Sequence, residues 1–289
     1  MATPSPASPP LLSRLREELR ERWTPLGLPP RPGQPPRLDA TAWAALVAEE
    51  SEAALLGKAH GLLAAAQLED GRVPARPDAS EACWTTALAA LAFARGGEPQ
   101  RERRERALDF LTGHEGVHHP RTAKTPVSHD TDLVGWPWIE GSAAWVEPTA
   151  LALLALARCG RGEHPRAAAA RALLFDRQLP GEGWNHGNVE VLGKRFRSVV
   201  ASTGLVLLSL QGTPRDERIE AALTWLRTAG ASTPLSLAWR WLGLAAWGEA
   251  AADPAELEAA LSRQRALGPV DGAHLAQLIL SLEGPEVLP

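Results

Sequence analysis

The sequence contains no tyrosine, one methionine, four phenylalanines and only two cysteines in 289 residues. Cys83 and Cys159 cannot build a disulfide framework, and without a CxxC pair they cannot frame a thiolate zinc site. A reducing, cytoplasmic compartment is the expectation that follows. No apolar run of about 18 residues escapes interruption by Arg, Glu or Pro, so no segment is expected to span a membrane, although peripheral contact with one stays open. The first residues, MATPSPASPP, lack the basic and the continuous apolar stretches of a secretory signal. Positive charge is also short: 30 Lys and Arg stand against 34 Asp and Glu, for a net charge of −4, with no basic block. Phosphate backbones need concentrated positive charge, so nucleic acid is excluded as the main partner.

Apolar material is plentiful. With 45% hydrophobic and 22% charged residues, the chain can bury a core, which excludes disorder along its whole length. Eleven tryptophans carry nearly all of the aromatic content. Each brings a large apolar face and one N–H donor, so what those rings face becomes the central question.

Ten of the 25 prolines fall within the first 36 residues, where two Pro-rich stretches flank a charged helical segment, Leu11 to Trp23. Residues 1–38 therefore read as a Pro-rich N-terminal strap with a short helix, and residues 39–289 as one domain. In that domain, helical runs of two kinds alternate. Ser51 to Gln67, Arg101 to His114, Pro165 to Gln178, Pro214 to Ala229 and Pro254 to Leu267 are amphipathic and charged, as suits helices with one face in water. Trp84 to Ala94, Val146 to Cys159, Val199 to Gln211, Pro234 to Gly248 and Gly272 to Leu282 are apolar nearly all round and must be buried on every side. Five consecutive pairs of this kind imply an inner ring of helices wrapped by an outer ring, and no window alternates like a strand. The expected fold is all-α: a single α/α toroid of about five to six helical hairpins.

Internal similarity supports a repeat. Thr86-Ala-Leu, Thr149-Ala-Leu and Thr203-Gly-Leu each open an apolar helix after a loop, and Gln178 precedes Trp184 by the same six positions that separate Gln67 from Val73. The pattern resembles the QW repeat of squalene-hopene and oxidosqualene cyclases, in which Gln and Trp staple an outer helix to the next turn, and the related repeat of protein prenyltransferase β subunits. The likeness runs from about Ser51 to the end, with Leu62 and Val73 replacing aromatic residues and Glu182 standing where Gly is expected. It implies an α/α toroid and, as partner, a hydrophobic small molecule such as an isoprenoid.

In class II cyclases a DxDD motif precedes the Thr-Ala that opens an inner helix, and its middle Asp protonates the substrate alkene. The resemblance places that acid at Glu147, with Trp145 and Pro148 where flanking acids would stand. An alternative reading makes Glu147 a helix-start carboxylate beside Pro148, favoured by the helix dipole. The rings of Trp84, Trp136, Trp138, Trp145, Trp184 and Trp239 lie in inner helices or the loops entering them, where an aromatic cavity lining would bind such a ligand; packing between repeats would use them equally well.

Two long loops hold the remaining candidates. The stretch 113–144 carries His129, Asp130 and Asp132, the best small polar cluster and a second source of a catalytic acid, on a loop long enough to cover a cavity mouth. Its His and carboxylate residues between 114 and 132 are the place for a divalent metal, but neither an HxxxH pattern on a predicted helix nor a Cys ligand accompanies them, so no cofactor or metal is expected. The second loop, from Gly183 to Arg197, offers His186 and the cation Arg195 to a ligand. Three functions remain open: a terpenoid-cyclase-like or prenyltransferase-like enzyme using a carboxylic acid, a non-catalytic binding or interaction scaffold, and a carbohydrate-active enzyme on the same fold, with Trp rings stacking on sugars.

Overall fold

The computed structural model describes residues 10–122 and 125–289. Among them twelve α-helices form two concentric rings, an α/α toroid. The inner ring is α2 (Leu38–Val47), α4 (Thr85–Arg95), α6 (Val146–Arg158), α8 (Val200–Ser209), α10 (Pro234–Ala245) and α12 (Gly272–Glu283). Each packs on the next, and α12 closes the ring on α2. Outside them run α1 (Leu11–Arg22), α3 (Ala53–Ala66), α5 (Arg101–Gly113), α7 (Pro165–Asp176), α9 (Glu217–Thr228) and α11 (Pro254–Leu267).

Burial follows the two sequence patterns. Helix α9 buries Ile219, Ala222, Leu223 and Leu226, one stripe at the spacing of three and four that a helix presents to a core. Helix α2, by contrast, buries all ten of its residues. The helix starts are written locally: proline occupies the first turn of α7, α10 and α11, while Asp216, Asp253, Asp271 and Thr233 accept backbone N–H groups at the starts of α9, α11, α12 and α10.

Helices α1 and α2 complete the outer and inner rings, and α1, which the sequence presents as a charged helix in a Pro-rich strap, packs on α12. Arg16 of α1 is buried, donates to the Val47 carbonyl at 2.7 Å, and pairs with Glu49 and Glu283, tying the helix to the far ends of α2 and α12. The Pro-rich segment then threads along the ring: the Pro30 carbonyl accepts the N–H of Gly272, and Leu38 donates to Ala75. Departing from helix is a hairpin of β1 (Glu190–Val191) and β2 (Lys194–Arg195), which pair antiparallel within the second long loop.

One hydrogen-bond motif repeats around the ring. The hydroxyls of Thr41, Thr86, Thr149 and Thr203, in four inner helices, accept the N–H groups of Leu28, Val73, Trp136 and Trp184 at 2.9–3.0 Å. Gln67 and Gln178 are used identically, each amide donating to a carbonyl four residues on and to a second carbonyl on the next outer helix or its start, Arg103 or Arg218. Close backbone approach completes the design at two sites. A Cβ on Gly183 would lie 2.2 Å from the Thr203 hydroxyl, and one on Gly204 would lie 2.0 Å from the Trp239 carbonyl, where α8 meets α10.

Candidate functional site

All six inner helices contribute residues from their N-terminal halves or N-terminal flanks to one cavity of about 420 Å³, so the helices run parallel and their starts converge on it. Its aromatic belt consists of Trp43 from α2, Trp84 at the start of α4, Trp138 from the preceding loop and Trp239 from α10. The rings meet edge to face: Trp43 and Trp239 with centroids 5.7 Å apart, Trp84 and Trp138 5.4 Å apart. Leu151, Leu205 and Leu235 continue the apolar wall.

Glu147 lines this cavity from the first turn of α6, so its helix-start position and its cavity position are one place. Its side chain is 12% exposed. Ser202 Oγ donates to Oε1 at 2.5 Å, and His186 Nδ1 lies 2.5 Å from the same oxygen. Oε2 is buried and has no hydrogen-bond partner. His186 is 65% exposed, so it connects Glu147 to solvent. Its loop is held in place by the Val146 N–H, which donates to the His186 carbonyl.

A second polar group stands across the ring, on α12 and α2. Asp271, His274 and Gln277 follow one another at a spacing of three, which puts them on one helix face, and all three line the cavity. Beside them Arg37 clasps Asp39 through two bonds of 2.8 and 2.5 Å. Burial raises the Asp39 carboxyl above the ordinary range although Arg37 opposes the shift, and burial lowers the His274 imidazole against the pull of Asp271.

Of the residues singled out in the sequence, Glu147, Trp84, Trp138, Trp239 and His186 therefore meet in one cavity. The others lie elsewhere. Trp136 and Trp184 are buried between the rings, where their indole N–H groups donate to the Leu111 and Leu174 carbonyls of the outer helices. Trp145 and His129 line a separate pocket of about 130 Å³ together with Arg177. Asp130 donates its N–H to Asp176 and accepts the N–H of Asp132, which is exposed. Arg195 sits in β2 and donates to the Pro180 carbonyl. Among the described residues no three His, Cys, Asp or Glu side chains gather as a metal would require.

Sequence reasoning missed Trp43, Ser202, Asp39, His274 and Gln277. The α12 trio did carry a signal, since His274 and Gln277 are polar interruptions three apart in an otherwise apolar run.

Comparison with known proteins supports the fold. No protein-family model matches the chain, and no match is found among curated proteins. Solved structures do match. An α-amylase from Clostridium perfringens is 9% identical with a TM-score of 0.62, covering 96% of this chain and 99% of its own. The type II terpene cyclase MstE from Scytonema is 17% identical at a TM-score of 0.58, over 87% of this chain and 77% of the cyclase. The GH76A α-1,6-mannanase from Salegentibacter is 12% identical at 0.59, over 94% and 97%. The chain has the α/α toroid fold common to these enzymes, and among the described residues no helix is long and apolar enough to cross a membrane.

Proposed function

We propose that the cavity takes up an isoprenoid-type chain and that Glu147 is the acid that protonates it, a terpenoid-cyclase-like activity. The observation that carries this reading is the asymmetry of one carboxyl group. Oε1 receives both Ser202 and His186, whereas Oε2 is buried without a partner beside a belt of four tryptophans. With His186 in the tautomer that carries its proton on Nδ1, Oε1 accepts two hydrogen bonds, and in the neutral acid the proton belongs on Oε2.

The step is proton transfer from Oε2 to a carbon of a substrate alkene. The π electrons form the new C–H bond, the second alkene carbon becomes cationic, and Glu147 is left as a carboxylate held by Ser202 and His186. Indole faces then stabilise the cation by about 0.5–2 kcal/mol each. Loss of a proton from the rearranged cation ends the reaction, and exposed His186 offers a route by which Glu147 recovers its own. MstE, crystallised with geranylgeranyl dihydroxybenzoate as substrate, shares the fold at 16% identity. That likeness supports the cavity's use for a long apolar chain without specifying the ligand.

The test is native mass spectrometry of the purified protein for a co-purifying isoprenoid, followed by a turnover assay with linear isoprenoids. Glu147→Gln is expected to bind as wild type does and to lose turnover by at least about a hundredfold, the usual scale for a general acid. Full activity in Glu147→Gln would remove this residue from the chemistry. Binding without turnover in the wild type would leave a non-catalytic carrier, and selective binding of gluco- or manno-oligosaccharides would favour the sugar-active neighbours.

A further inference from the structure

The cavity has two polar poles, and only the Glu147 pole is used by the proposed chemistry. The other is formed by Asp39, Asp271, His274 and Gln277. Gln277 is 7% exposed, and its Oε1 is buried with no hydrogen-bond partner. Leaving such an acceptor unmet is costly, and an all-hydrocarbon ligand leaves it so.

The surroundings set the sign of what is missing. The Arg37 guanidinium is committed to Asp39 through two of its nitrogens. Asp271 spends one oxygen on the Ala273 N–H, and its other oxygen receives no hydrogen bond among the described residues. Burial disfavours the charged form of His274, which leaves a neutral ring with one acceptor nitrogen. The buried atom left without a partner is an acceptor, Gln277 Oε1, and it stands beside the Asp271 carboxylate, so the complement is a ligand group that donates. A carboxylate or diphosphate head would instead face Asp271 and Asp39.

The position of this pole suits a head group. A neighbouring surface groove of about 310 Å³, lined by Arg31 and Gln264 among others, shares Leu235, Asp271 and His274 with the cavity. The pole therefore lies where cavity and groove meet, while Glu147 lies across the ring on α6. A chain entering tail first would bring its far end to Glu147 and leave its head beside α12.

Resting on the isoprenoid reading above, we infer that the α12 pole is a head-group subsite, and that the ligand is an isoprenoid carrying a hydroxyl or amino donor at the end remote from the alkene that Glu147 protonates. The experiment is a titration of the full chain, followed by tryptophan fluorescence, with farnesol, farnesylamine, farnesyl methyl ether and farnesoic acid. The alcohol and the amine should bind at least about tenfold more tightly than the methyl ether or the acid, the factor expected for one buried hydrogen bond. Gln277→Leu should abolish that preference by weakening the alcohol while leaving the ether unchanged, and Asp271→Asn should weaken the amine more than the alcohol. Equal binding of alcohol and ether by the wild type, or a preference that survives in Gln277→Leu, overturns the head-group subsite while leaving the isoprenoid reading intact. If none of the four binds, both fall.

Discussion

Thr85 and Thr86 are adjacent in α4 and both are fully buried, yet their hydroxyls have opposite fates. Thr86 Oγ accepts the Val73 N–H at 3.0 Å and returns a weaker bond to the Val73 carbonyl at 3.4 Å. Thr85 Oγ is buried and has no partner. Valine matches the shape of threonine, so replacing each in turn isolates the hydroxyl. Thr86→Val leaves the N–H of a buried loop residue without an acceptor and should cost about 1–3 kcal/mol. Thr85→Val removes an unpaired polar atom and should be neutral or stabilising by up to about 1 kcal/mol. The two variants should thus differ by about 1–4 kcal/mol, or roughly 2–7 °C in midpoint for a chain of this size. Urea titrations at unchanged m-value, paired with thermal melts, read the difference directly. If both substitutions shift stability equally, the threonine motif is not what fastens each loop to the ring, and the repeat argument built on Thr41, Thr86, Thr149 and Thr203 fails with it.

Other expectations follow from close packing and from burial. Gly204→Ala drives a methyl group into the Trp239 carbonyl, so α8 and α10 must separate; a loss of at least about 2 kcal/mol is expected despite the better helix propensity of alanine. In the same denaturation assay Gly57→Ala, on α3 with open space around its Cβ, should gain about 0.5–1 kcal/mol. Burial, reinforced by Arg177 and Arg121 and opposed by Asp130, pushes the His129 imidazole down to about 4, below the roughly 6.5 of an unfolded chain. As pH falls from about 6.5 towards 4 the unfolded state takes up a proton that the folded state refuses. Stability should drop over that window by at most about 1.4 kcal/mol per pH unit. His129→Gln should flatten this part of the profile, and parallel curves for variant and wild type would refute the assignment.

Much of the ring was legible because its two helix types answer to different solvents. Runs such as Val146 to Cys159 are apolar all round, and runs such as Pro254 to Leu267 carry charge on one face, so inner and outer helices separate by composition alone. Helix α2 was harder to see. It is only ten residues long and follows a run of prolines, both of which conceal it from a search for long periodic segments. One signal does reach it: Leu28 and Thr41 are thirteen positions apart, the separation that also links Val73 to Thr86 and Trp136 to Thr149. In these three repeats a turn of one length returns a backbone N–H to the same helix position, whereas Trp184 and Thr203 are nineteen positions apart with the β1–β2 hairpin between them.

The site was less legible, for a physical reason that the tryptophans make plain. Trp136 and Trp138 are two residues apart in one loop, yet Trp136 is sealed between the rings with its indole N–H on Leu111, whereas Trp138 stands in the cavity against Trp84. Regular extended backbone would send residues two apart to the same side, so their opposite fates show that the loop turns between them, at Pro137, and the nature of the residue cannot decide which ring faces the axis. Position relative to the threonine motif can. The residue whose N–H meets the Thr hydroxyl, be it Leu28, Val73, Trp136 or Trp184, is fully or nearly fully buried in every case and does not line the site cavity. By that rule a ring two positions beyond the anchor is free to serve a ligand, as Trp138 does, and His186 occupies the same offset from Trp184. The anchor thus marks which loop residue is buried, and the loops after Trp136 and Trp184 are the two that bring a side chain to the cavity at the same offset, one a tryptophan and the other a histidine, whereas Pro30 and Ala75, two positions beyond Leu28 and Val73, do not line it.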